Sequence, residues 1–325
     1  MCTMKICATF QTTPEQKQFL RQFFENTADI RFPDDHPAEE KNSLISSSEI
    51  LLSWNPEKEG LYSPEISYRE TKFIQLLSAG YDHVQRDKFP SGLIIASNQG
   101  AYASPMAEHA VAMILALSKR LMIYHQELSS GNFNQLSSVT KTIDGSVLGV
   151  IGFGSIGKAT ARLLKPFGVN VMALNTSGKT DEQVEFIGTL KDLNHVLENA
   201  DFVLLSAPLN SETEGLINRQ KLERMKEDAI LINVARGPVI NEEDLFNHLK
   251  THPDFCAGID AWWIEPFRYG TFEIHYPFFE LPNLLGSPHN SAMVENVLLM
   301  GIEKAAANVA RFIRNEPAKG LIPAS

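Results

Sequence analysis

Three side chains able to carry chemistry stand just after short apolar runs in the second half of the chain. Arg236 follows AILINVA, Glu265 follows CAGIDAWWI, and His289 follows LLGSP. A guanidinium is always charged and forks onto carboxylate or carbonyl oxygens. An imidazole, with an ordinary pKa of about 6.5, exchanges a proton near neutral pH. Upstream, Gly152, Gly154 and Gly157 form a GxGxxG turn between the apolar run VLGVI and a stretch in which Ile156, Ala159, Leu163, Leu164 and Phe167 recur at helical spacing. That setting aims the free N–H groups of Ser155, Ile156 and their neighbours, and the positive end of a helix, at a pyrophosphate. Gly152 serves the tight turn, Gly154 the close approach of backbone to phosphate, and Gly157 the packing of helix on strand.

Positioning these groups requires a parallel sheet, because ligands of open α/β sheets bind beyond the carboxyl ends of the strands. Apolar strands are expected at VNVMAL, FVLLS, AILINV, CAGIDA and LLG, separated by charged helical segments. The N-terminal part shows the same rhythm: MKICATF, then a helix of about three turns opened by Thr13, Pro14 and Gln16, then ADIRF, EILLS, FIQLL and LIIAS. From Ser104, Met106, Ala110, Met113, Ile114 and Leu117 predict one long amphipathic connecting helix. The polar stretch from Ser129 to Gly145 predicts an exposed loop, and Val294 to Arg314 a closing Ala-rich helix packed on the first domain.

With 325 residues and 43% hydrophobic content, the chain exceeds what one core serves, so two domains are expected. Its 29 basic against 39 acidic residues give a net charge of −10, which disfavours nucleic acid and anionic membrane as partners. No apolar run is long enough to span a bilayer, and the N-terminus reads as a strand rather than a targeting segment. Cys2, Cys7 and Cys256 are scattered without metal spacing; no metal site is expected, and the cytoplasm is the expected compartment.

GFGSIG, NVARGPVI, GIDAWWIEP and SPHN, in this order and spacing, resemble the D-isomer-specific 2-hydroxyacid dehydrogenases over essentially the whole chain. The resemblance implies an α/β fold of two doubly wound parallel-sheet domains with a cleft between them. One is a Rossmann cofactor domain, residues 99–291; the other is a smaller, discontinuous flavodoxin-like substrate domain, residues 1–98 and 292–325. It implies Arg236 as substrate-binding arginine, His289 as general acid/base and Glu265 as its partner. Ser78, Ala79 and Gly80, within SAGYD, match the loop whose N–H groups hold the substrate carboxylate. Cofactor contacts are expected at Gly152, Gly154, Ser155, Ile156, Gly157, Asn175, Thr176, Ser177, Lys179, Pro208, Ala235 and Asp260, with Asp260 near the nicotinamide amide unless it merely caps a turn. A homodimer formed through the cofactor domains is also implied. Chemically, Arg236 would anchor a 2-oxo acid, while Glu265 would fix the tautomer of His289 and stabilise its imidazolium form.

Some residues depart from this pattern or point elsewhere. Asn175 stands where an acidic residue usually holds the ribose 2′-OH, and Lys179 is near enough in sequence to attract a 2′-phosphate, so the cofactor is NAD or NADP. Met293 stands where many relatives carry Ser or Thr. His248 and His252 have the spacing of two metal ligands on one helix face, without a third ligand, and suit a helix C-terminus better. The aromatic residues from Trp262 to Phe279 suit packing or a subunit contact better than the lining of a pocket. The expected reaction is reduction of glyoxylate, hydroxypyruvate or pyruvate. A dinucleotide-sensing module resembling the transcriptional co-repressors is the alternative. Formate oxidation is a weaker third reading, because relatives of that kind pair the histidine with glutamine, where Glu265 stands here.

Overall fold

The computed structural model describes residues 4–323. Its strands are β1 (Met4–Ala8), β2 (Ala28–Arg31), β3 (Ile50–Ser53), β4 (Phe73–Leu76), β5 (Ile94–Ala96), β6 (Val147–Ile151), β7 (Asn170–Leu174), β8 (Phe186–Gly188), β9 (Phe202–Leu205), β10 (Ile230–Asn233), β11 (Cys256–Ile259) and β12 (Leu284–Gly286). The helices are α1 (Pro14–Phe24), α2 (Lys41–Ser46), α3 (Ala103–Ser118), α4 (Leu121–Ser129), α5 (Ser155–Leu164), α6 (Leu193–Asn199), α7 (Arg219–Leu222), α8 (Glu242–Thr251), α9 (Pro266–Tyr269) and α10 (Val297–Ile313). Two compact units result. One comprises residues up to Tyr102 together with those from Val294 onward; the other is Ala103–Met293.

In the first unit five parallel strands run in the order β2-β1-β3-β4-β5, the flavodoxin-like arrangement. Both faces of this sheet are covered, and the two-residue period of the strands sorts the side chains. Ile6, Ala8, Ile50, Leu52 and Phe73 meet Leu20 and Phe24 of α1 and Ile302, Ala305, Ala306 and Val309 of α10. Cys7, Leu51, Ile74 and Leu76 face the other way, toward Ile45, Leu61 and Phe89. The helix opened by Thr13 forms with the reciprocal capping bonds to Gln16 in place. Its partner α10 begins at Val297, three residues later than the expected Val294, because Asn296 takes a left-handed φ of 59° and interrupts the helical path.

The second unit carries seven parallel strands in the order β12-β11-β10-β9-β6-β7-β8. The direction of winding reverses beside β6, as in the Rossmann fold. Ile151, Val203, Leu205, Leu231 and Ala257 pack on one face with α6 and α8, and Leu148, Val150, Leu204, Ile232 and Cys256 on the other with α3. The helix expected from Ser104 is α3, which ends at Ser118; Arg120 then turns left-handed at φ 49°, and a further helix, α4, follows. After α4 the polar stretch is largely exposed loop. Strand β8 is one that the apolar pattern does not announce.

Among the described residues no helix is long and apolar enough to cross a membrane, and no group of three or more His, Cys, Asp or Glu side chains could hold a metal. Cys7 and Cys256 are buried free thiols, while Cys2 lies outside the described residues.

Candidate active site

Because every strand of the second unit is parallel, the segments after β6, β7, β9, β10, β11 and β12 leave the same edge of the sheet. The glycine loop follows β6. Gly152 has φ +97°, and a Cβ there would meet the backbone N of Ala207 at 2.4 Å, so the loop after β9 closes directly onto it. A bond from Ser206 Oγ to the Gly152 carbonyl, 2.9 Å, joins the same two segments. At Gly157 a Cβ would strike Val150 at 2.7 Å, which sets the distance between helix α5 and its strand. Gly154 differs from both, since a Cβ there would point into open space. It precedes α5 without a side-chain cap, so the first-turn N–H groups of Ser155, Ile156 and Gly157 have no intrahelical acceptor. A tight turn, an open approach and an uncapped helix start suit the pyrophosphate of a dinucleotide.

At the end of β7, Asn175 organises its own turn. Its Oδ1 accepts from the N–H groups of Ser177 at 3.1 Å and Gly178 at 2.7 Å, and its Nδ2 donates to the Lys179 carbonyl at 2.8 Å. Thr176, Ser177 and Lys179 are exposed on this turn. The acidic side chains that come next are engaged: Asp181 pairs with Lys158 and Glu182 with Arg162. Pro208 lies in the loop after β9, where its carbonyl accepts from Thr213 Oγ1 at 2.6 Å.

Arg236 sits beyond β10 in a turn tied by Asn233, whose Oδ1 accepts from Ala235 N–H and whose Nδ2 donates to the Arg236 carbonyl. The guanidinium is steadied by a 2.7 Å bond from Nη1 to the Ala235 carbonyl. A Cβ at the next residue, Gly237, would fall 2.2 Å from the Trp262 carbonyl carbon, so only glycine lets the arginine turn lie against the segment after β11. In that segment the Trp262 N–H donates to Glu265 Oε1 at 2.6 Å, and Glu265 Oε2 lies 2.7 Å from His289 Nδ1. A carboxylate only accepts, so Nδ1 carries the hydrogen and Nε2 is the nitrogen left to exchange a proton. A continuous run of contacts thus links Arg236, through Gly237 and Trp262, to Glu265 and His289.

Asp260 does cap a turn. It is fully buried, and its carboxylate accepts from Ser287 Oγ and from the N–H groups of Asn290 and Ser291, capping the turn that bears His289. Met293 is exposed. The aromatic stretch divides: Trp262 and Phe278 are buried and Trp263 stacks on Phe278, whereas Phe267, Tyr269, Phe272 and Phe279 are exposed. His248 and His252 stack with centroids 4.0 Å apart, and burial followed by the neighbouring ring pushes the His248 pKa down to about 4. In the first unit, Ser78, Ala79 and Gly80 are half-buried after β4, where the Ser78 carbonyl accepts from Asn98 N–H at 2.8 Å. Sequence reasoning missed Ser206, Asn233 and the Trp262 N–H, whose roles arise only once the strand ends are side by side.

The family model described as D-isomer specific 2-hydroxyacid dehydrogenase, NAD binding domain, matches residues 111–291. The hydroxypyruvate reductase of Thermotoga maritima is 30% identical over 72% of this chain and 76% of its own length. A human glyoxylate reductase/hydroxypyruvate reductase is 30% identical over 76% of this chain and 75% of its own. A crystal structure of a D-isomer specific 2-hydroxyacid dehydrogenase family protein from Aeromonas salmonicida superposes with a TM-score of 0.80 at 25% identity, covering 99% of this chain and 100% of that one.

Proposed function

Since the chain belongs to the D-isomer specific 2-hydroxyacid dehydrogenase family, we propose that it transfers a hydride between a nicotinamide dinucleotide and a small 2-oxo acid of the glyoxylate, hydroxypyruvate or pyruvate type. The observation that carries this reading is the 2.7 Å contact of Glu265 with His289 Nδ1, which leaves Nε2 as the proton-exchanging nitrogen. Arg236 anchors the substrate by forking onto its carboxylate and carbonyl oxygens. His289 delivers the proton to the carbonyl oxygen, and Glu265 holds the tautomer and balances the imidazolium charge. Gly152, Gly154, Ser155, Ile156 and Gly157 hold the pyrophosphate; Asn175 to Lys179, Pro208 and Ala235 border the rest of the dinucleotide. When bound, the reduced nicotinamide supplies the hydride. On this reading Ser78, Ala79 and Gly80 are substrate-binding residues of the first unit.

The end of β7 presents no carboxylate to repel a 2′-phosphate, and its two nearest acids are paired with Lys158 and Arg162, so NADPH suits the turn as well as NADH. We assign the unit up to Tyr102 and from Val294 onward to the substrate domain and Ala103–Met293 to the cofactor domain, a few residues from the expected limits of 98 and 292. Buried free thiols at Cys7 and Cys256 agree with a reducing, cytoplasmic setting. Leu121, Met122, Leu128, Phe133, Leu136 and Val139 are all exposed on α4 and the loop after it, which favours a second copy of the chain as partner.

The direct test of the site is His289→Ala. Turnover with a 2-oxo acid should fall by about 10² to 10⁴ while NADH still binds. Near-full activity would remove His289 from the reaction.

A further inference from the structure

His289 is held in an unfavourable backbone conformation, φ +49°, in the left-handed region that residues with a Cβ seldom occupy. Something must hold it there. The His289 N–H donates to the Asp260 carbonyl at 2.9 Å. The N–H groups of the next two residues, Asn290 and Ser291, donate to the Asp260 carboxylate at 3.0 and 3.2 Å. Asp260 therefore grips three successive N–H groups, and its own position is fixed by donating from its N–H to the Asn233 carbonyl at 3.0 Å.

A further pair of side chains completes the carboxylate's surroundings. Ser287 Oγ lies 2.6 Å from Asp260 Oδ1, and His109 Nε2 of α3 lies 2.9 Å from the same hydroxyl and 3.7 Å from Oδ1. A serine has one hydroxyl proton, and here it goes to the carboxylate; the hydroxyl must then accept from His109, so Nε2 of that ring carries a hydrogen. The order of donation runs His109 to Ser287 to Asp260, and ends on the backbone around His289.

We propose that His109 and Ser287 act through Asp260 as positioning residues for His289, fixing the left-handed turn that points its ring at Glu265. Asp260 itself is fully buried. The inference rests on the reading of His289 as the acid/base. A misplacement of about 1 Å in such a group costs up to about 10²-fold in rate.

The test compares His109→Leu, His109→Gln, Ser287→Ala and wild type. Gln retains an N–H donor in place of Nε2, whereas Leu keeps bulk alone. His109→Leu and Ser287→Ala should each lower kcat by about tenfold, with the Kd for NADH and the Tm little changed, and His109→Gln should recover most of that loss. Equal loss in the Leu and Gln variants would reduce His109 to packing. Full kcat in His109→Leu, or a weakened Kd with unchanged kcat, would overturn the proposal. If wild type turns over no 2-oxo acid, the functional reading has failed, and ¹⁵N NMR of the His289 ring still decides: its Nδ1 signal should shift or broaden in Ser287→Ala and stay in place in His109→Gln. An unmoved signal in Ser287→Ala would end the proposal.

Discussion

Substituting two glycines of one loop separates its folding role from its binding role. At Gly152 an alanine Cβ would lie 2.4 Å from Ala207 N, 2.6 Å from Ala207 Cα and 2.8 Å from the Ser206 carbonyl carbon, all backbone atoms, and φ is +97°. Conformational strain and overpacking each cost about 1–3 kcal/mol, so Gly152→Ala should lose about 2–6 kcal/mol. For a unit of this size that is a fall in Tm of about 4–24 °C. At Gly154 the Cβ meets nothing within 4 Å, and φ −97°, ψ −151° is extended backbone open to alanine. Gly154→Ala should therefore melt within about 2 °C of wild type. Its methyl stands where phosphate approaches, and NADH affinity should fall at least about tenfold, equivalent to about 1.4 kcal/mol. Thermal unfolding without cofactor and NADH fluorescence titration read the two effects independently. Wild-type affinity in Gly154→Ala would show that the pyrophosphate binds elsewhere, and an unchanged melt of Gly152→Ala would refute the contact argument.

Glu265→Gln keeps an acceptor for the Trp262 N–H but removes the charge beside His289; kcat for oxo-acid reduction should fall by about 10² with little change in cofactor affinity, and a fall below threefold would count against the pair. His248 has its folded pKa depressed to about 4 from an ordinary 6.5, so the stability this neutral ring supports is fully present above about pH 6.5 and lost as pH falls toward 4, at most about 3 kcal/mol. His248→Leu should flatten the fall in Tm across that window, and an unaltered slope would refute the assignment. Glu59, buried, accepts from Thr9 Oγ1, Ser53 Oγ and the N–H groups of Trp54 and Asn55, and burial raises its pKa. Glu59→Ala strips the Trp54 and Asn55 N–H groups of their acceptor and should cost about 2 kcal/mol or more in chemical denaturation; a neutral result would mean the loop rearranges freely. If the proposed pairing of two copies runs through this patch, Leu136→Asp, at a nearly fully exposed position, should lower the sedimentation mass toward that of a monomer, and a mass equal to wild type would place any subunit contact elsewhere.

Much of this architecture is legible in the sequence because it is local. The capping box of Thr13 and Gln16, the apolar runs of strands β6, β9 and β10, and the GxGxxG turn each declare themselves within about ten residues, and they appear where expected. Strand β8 does not, because it has three residues, is half-buried on two of them, and follows the charged run DEQVE. The break between α3 and α4 and the late start of α10 each depend on one residue, Arg120 or Asn296, turning left-handed, which neither residue type demands. At the site, Arg236, Glu265 and His289 stand out by type and by their places after strands. That Asp260 could cap a turn is legible, but not which groups it holds, because its donors lie 27 to 31 residues away, and the His109 contact with Ser287 spans 178. Asn175 is conspicuous for lacking a carboxylate, but its use in shaping the Ser177–Lys179 turn becomes visible only in three dimensions.

Mixing the purified protein with NADH or NADPH and following loss of the reduced pyridine absorbance on adding glyoxylate, hydroxypyruvate or pyruvate measures the proposed hydride transfer itself. Saturable oxidation with at least one of these acids, yielding the D-2-hydroxy acid where the product is chiral, is the predicted result. Tight dinucleotide binding with no consumption on any of the three would contradict it and leave a chain that binds the cofactor without using it.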